Sequence, residues 1–135
     1  MSETSLLVRT RVLWLASVSE MGTGAFLLAA PAVVVELLLG GRLSPEGMPL
    51  ARVAGIALLA LGLACWRIAD ALASKAAFRG MLVYNVLIAA YLLWLGVHHG
   101  RGGVLLWPVV VFHGVVALLL LWTWAEEAHT KPAQR

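Results

Sequence analysis

Four long apolar runs, each near the length that crosses a lipid bilayer, occupy almost all of this 135-residue chain. The first extends over 12–39, the second over 53–71, the third over 81–97 and the fourth over 104–124. A bilayer's hydrocarbon core needs about 20 apolar residues of helix, or about 10 of tilted strand. Helices fit these runs, because only helices and closed barrels satisfy their backbone polar groups in lipid. The expected architecture is an all-α polytopic membrane protein: one domain over 1–135, an antiparallel bundle of four transmembrane helices.

Composition agrees. The chain is 61% hydrophobic, with a mean hydropathy of +0.90, whereas a soluble domain is about 45–50% apolar. Four spans and short connections leave no length for a soluble catalytic module. The net charge of +3 and pI near 9.6 come from basic residues scattered at run ends, which excludes a nucleic-acid face and fits topology signals and lipid headgroup contacts. Cys65 is the single cysteine, so neither an internal disulfide nor a CxxC pair is available.

The first run, about 28 residues long, exceeds a simple crossing. Pro31 inside it removes a backbone donor, which predicts a kink or a break into a short outer helix. A Gly/Pro-rich loop over 40–49 follows. A charged helical extension is expected over 67–80, and a tight turn over 98–103. Short connections force neighbouring helices antiparallel. With both termini inside, the inner face carries Arg9, Arg11, Arg67, Lys75, Arg79, Lys131 and Arg135, against Arg42, Arg52 and Arg101 outside. That bias places both termini in the cytoplasm of an inner membrane. Glu20 interrupts what would be the apolar core of a secretory signal, which argues against cleavage near Ala30-Pro31-Ala32.

Polar residues fall at comparable depths when positions are converted at about 1.5 Å per residue. Glu20 lies about 10 Å from the cytoplasmic edge, Asn85 about 6 Å and His113 about 15 Å, with Arg67 and Asp70 near the same edge. A carboxylate in hydrocarbon must face the bundle and either pair or take up a proton. Arg67 is the expected partner, assisted by Asn85, with Tyr84 or Tyr91 supplying a hydroxyl. The group Glu20, Arg67, Tyr84, Asn85 and His113 is therefore expected to form an interhelical polar clasp or, alternatively, a ligand pocket. Asp70 suits a local pair with Arg67. Glu36 suits interfacial solvation or a pair with Arg42 or Arg52.

His113 is chemically versatile, but haem would need a second axial ligand at its depth. His98 and His99 are displaced by more than a turn and His129 lies beyond the span. Zinc lacks a compact ligand spacing. No cofactor or metal is expected. The tryptophans lie towards span ends, as an interfacial belt requires. Gly22 and Gly24 beside Glu20, and Gly55 and Gly62 with Ala57, Ala60 and Ala64, suit close helix packing.

The string Ala51-Arg52-Val53-Ala54-Gly55-Ile56-Ala57-Leu58-Leu59-Ala60-Leu61-Gly62-Leu63-Ala64-Cys65-Trp66, with Met81-Leu82-Val83-Tyr84-Asn85, Leu105-Leu106-Trp107-Pro108 and His113, resembles small bacterial four-helix membrane proteins of broadly DoxX-like layout. That resemblance covers most of the chain and implies fold and location, with no activity attached. Glu20 is also placed like the membrane-embedded glutamate in the first helix of small multidrug resistance transporters, whose role would imply a homodimer exchanging protons for a cationic drug. The absence of a catalytic constellation points first to a non-enzymatic structural, accessory or lipid-associated protein. Membrane lipids, a second copy or a partner membrane protein are the expected contacts. A proton-coupled transporter using Glu20 is the alternative, and a quinone- or haem-linked subunit using His113 the third.

Overall fold

The computed structural model describes residues 3–66, 71–100 and 102–130. Five helices follow in order: α1 (Glu3–Ala29), α2 (Pro31–Leu39), α3 (Gly47–Cys65), α4 (Ala71–His99) and α5 (Leu106–Thr130). All but α2 are long and apolar enough to cross a membrane. The shortest of the four, α3, has 19 residues and spans about 28 Å, close to the roughly 30 Å of bilayer hydrocarbon.

The helices outrun the apolar stretches. α1 starts well before Val12, α3 begins at Gly47 rather than near 53, and α4 begins at Ala71 rather than near 81. The cause is that hydropathy marks where lipid begins, whereas backbone hydrogen bonding continues into polar flanks. The first ten residues of α4 belong to the charged extension expected over 67–80; its residues 67–70 lie outside the described part.

Pro31 breaks the first run as expected. Ala30 leaves helical geometry at φ −141° and ψ 59°, and Pro31 occupies the first turn of α2, where its missing N–H has no helical acceptor to lose. α2 ends at Gly40 in the left-handed region, φ 69°, with its amide donating to the Glu36 carbonyl. The next carbonyls of α2 take donors from the α4–α5 connection: Gly103 N–H to Leu38 O at 3.1 Å and Leu105 N–H to Leu37 O at 2.9 Å. A side chain at Gly103 would collide with the Leu37 carbonyl, so this backbone junction requires glycine there.

α1 packs most extensively on α3, α4 on α5, and α1 on α5 joins the two pairs. Glycines set the α1–α3 approach. A Cβ on Gly24 would lie 2.6 Å from the Gly55 carbonyl oxygen, and one on Gly62 would lie 2.7 Å from that of Ser17. Gly22 faces open space, while Ala57, Ala60 and Ala64 are exposed. Of the small residues read as one packing set, the inward glycines make the contact and the alanines lie outside it.

The surface is apolar. Phe26, Leu50, Leu87, Val104 and Leu118 are each more than 60% exposed, far beyond the patches a soluble monomer shows. The buried cluster of Val12, Ala16, Cys65, Phe78, Met81, Leu82, Val116 and Leu120 lies in the half of the bundle that carries both chain ends. Six tryptophans are exposed and mark two levels. Trp14 and Trp66, 6.1 Å apart, share one level with Trp122 and Trp124, whereas Trp94 and Trp107 mark the other. Along α5 the levels are roughly 22–26 Å apart by helical rise, a separation that suits headgroup belts on either side of a hydrocarbon layer.

Candidate functional site

Three helices deliver polar side chains between those two belts. Glu20 comes from α1, Tyr84 and Asn85 from α4, and His113 from α5. Glu20 is 1% exposed, Asn85 0% and His113 7%. Tyr84, Asn85 and Glu20 all lie around His113. Arg67, the expected partner of Glu20, and Asp70 lie outside the described residues.

Asn85 fixes the local chemistry. Its amide nitrogen donates to the Met81 carbonyl at 2.8 Å, one turn back along α4. That leaves the amide oxygen facing His113 Nδ1 at 2.8 Å. An amide oxygen can only accept, so His113 carries its proton on Nδ1 and donates across the α4–α5 interface. The imidazole is further held edge-on by Tyr84, with ring centroids 5.7 Å apart, and by Phe112 at 5.3 Å. Asn85 therefore serves His113 and its own helix; the Glu20–Arg67 contact it is expected to assist involves Arg67, which lies outside the described residues.

Glu20 meets this pair from α1. The Tyr84 hydroxyl lies beside its carboxyl group, which selects Tyr84 over Tyr91; the latter is exposed and stacks on Trp94 at 6.1 Å. Glu20 Oε1 lies 3.9 Å from His113 Nδ1, beyond hydrogen-bond reach, and has no hydrogen-bond partner among the described residues. At this level of the bundle α1 therefore meets α4 and α5 through the Glu20 carboxyl group, which lies close to Tyr84 and His113.

Nearby polar groups stay local. The Ser17 hydroxyl, one turn before Glu20, donates to the Leu13 carbonyl at 2.7 Å, and Thr123 donates to Leu120 O at 2.9 Å. The Cys65 thiol points to Ala77 O at 3.6 Å, linking the end of α3 to α4. Glu36, by contrast, is exposed. Among the described residues, no three His, Cys, Asp or Glu side chains converge as a metal site would require.

A second polar constellation lies at the end of the bundle that carries both termini, and sequence reasoning did not find it. Arg9 of α1 pairs with Glu127 of α5 at 2.9 Å and sits 4.0 Å over the Phe78 ring of α4. Together with Lys75, Arg79 and Trp124 these residues line a cleft of about 330 Å³. Arg9, Lys75 and Arg79 were legible only as topology signals. Their convergence depends on α1 and α4 running in parallel with α5 reversed, which places positions 9, 75–79 and 124–127 at one end.

Comparison with protein-family models, curated proteins and solved structures found no match to this chain.

Proposed function

We propose that this chain is a small non-enzymatic protein of a bacterial inner membrane, with both termini cytoplasmic, acting as a structural or accessory component. Its intramembrane polar residues hold the helices in register. The observation that carries this reading is the sealed bond between His113 and Asn85, with Glu20 closed over it at 1% exposure. Polar groups in hydrocarbon have no competing water, so each interhelical bond penalises any arrangement that leaves it unmade. The terminal cleft is lined by none of these residues.

A second reading rests on one atom. Glu20 Oε1 is buried without a hydrogen bond 3.9 Å from an imidazole, which is the arrangement a proton-exchanging carboxyl would use in a transporter of small cations. Uptake by proteoliposomes under an imposed proton gradient separates the two. The clasp reading predicts no gradient-driven accumulation of a lipophilic cation by the native chain or by Glu20→Gln. Accumulation that disappears in Glu20→Gln would overturn it in favour of transport.

A further inference from the structure

The cleft at the termini-bearing end is more than an ion pair at a helix boundary. Arg9 is fixed on two sides, by Glu127 at 2.9 Å and by the Phe78 ring beneath it. Its side chain is 11% exposed and Phe78 2%, so the floor of the cleft is a cation held in place before any ligand arrives. Glu127 neutralises that cation in charge but leaves its orientation set. Lys75 and Arg79 stand one turn apart on the same face of α4 and are exposed. Neither makes an ion pair among the described residues. Two positive charges therefore remain at the rim, beside the exposed indole of Trp124, at the level of a headgroup belt.

We propose that this cleft binds a phosphate-bearing anion, the headgroup phosphate of an acidic phospholipid being the form the membrane presents. The chemistry suits that class. Guanidinium and ammonium donors match phosphate oxygens, an interfacial tryptophan accompanies them, and basic pockets between membrane helices recognise such headgroups. A volume of about 330 Å³ accommodates a headgroup rather than a whole lipid, whose acyl chains would lie against the apolar outer surface. The proposal rests on the membrane residence proposed above.

The test uses the full chain in detergent micelles, titrated with phosphatidylglycerol or with phosphatidylcholine of the same acyl chains, and bound lipid counted by native mass spectrometry. Phosphatidylglycerol binds preferentially to the native chain. Lys75→Gln combined with Arg79→Gln weakens it about 30-fold, on the basis of about 1 kcal/mol per basic residue near an anionic surface. Arg42→Gln combined with Arg52→Gln, at the opposite end, leaves it unchanged. Inorganic phosphate is the competing arm: displacement of the lipid assigns the site to free phosphate as well, and failure to displace assigns it to the headgroup in its membrane. Equal binding of both lipids, or of the native chain and the Lys75/Arg79 variant at unchanged helicity, would overturn the proposal. Recovery of a folded chain without detergent would instead remove the membrane reading, while the phosphate arm would still report on the cleft.

Discussion

Asn85 satisfies its own helix and orients a histidine on the next one. Its replacement by alanine strands the His113 Nδ1–H in a dry interior. An unsatisfied buried donor costs about 1–3 kcal/mol, so Asn85→Ala is expected to lower the unfolding free energy by about that amount, measured by steric trapping in bicelles. An Asn85→Asp variant keeps the acceptor but loses the donor to Met81 O and adds a second carboxyl close to Glu20, so it is expected to be no better than alanine. The sequence disclosed the depth of these residues, since depth follows from counting along an antiparallel bundle. Which amide hydrogen-bonds with which ring could not be counted, because the rotation of α4 against α5 about their own axes decides it.

At the scale of elements, the two glycines beside Glu20 separate cleanly. Gly24 faces the backbone of α3, where a Cβ would lie 2.6 Å from Gly55 O and 2.8 Å from Leu59 N; backbone cannot yield as a flexible side chain can. Gly24→Ala is expected to push α1 from α3 and destabilise by about 1–3 kcal/mol. Gly22→Ala, with open space around it, is expected to be neutral or to stabilise by about 0.5–1 kcal/mol through helix propensity alone. Parallel unfolding measurements on the two variants check the contrast, and similar losses in both would contradict the packing assignment. Ahead of α3, Ser44 accepts the Gly47 amide through its hydroxyl at 3.1 Å. The neighbouring Glu46 carboxyl is held below the usual carboxylate range by its own backbone amide and by the Ser44 side chain. A depressed carboxyl favours the folded loop above the ordinary carboxylate pKa and loses that contribution as pH falls through its lowered value. Ser44→Ala is expected to move the Glu46 titration upward, read by carboxyl-selective NMR.

Over the whole molecule, the plan of four apolar helices was legible because lipid imposes it: run lengths, the Pro31 break and the short turns leave few alternatives. The docking of α2 carbonyls on the Gly103 turn was not, since backbone-to-backbone contacts leave little trace in side-chain pattern. The terminal cleft stayed hidden for a different reason. Each of its cations has an adequate explanation as a topology signal, and only the parallel course of α1 and α4 brings them together around Phe78. Gly103→Ala is accordingly expected to loosen the end opposite the termini, seen as faster exchange of the amides at positions 103 and 105, while leaving exchange around Phe78 unchanged. The most direct measurement of the polar clasp is a double-mutant cycle on Asn85→Ala and His113→Ala, with unfolding free energies read in bicelles. A favourable coupling of about 0.5–2 kcal/mol is predicted; additive losses, with no coupling between the two positions, would contradict a bond that holds α4 to α5.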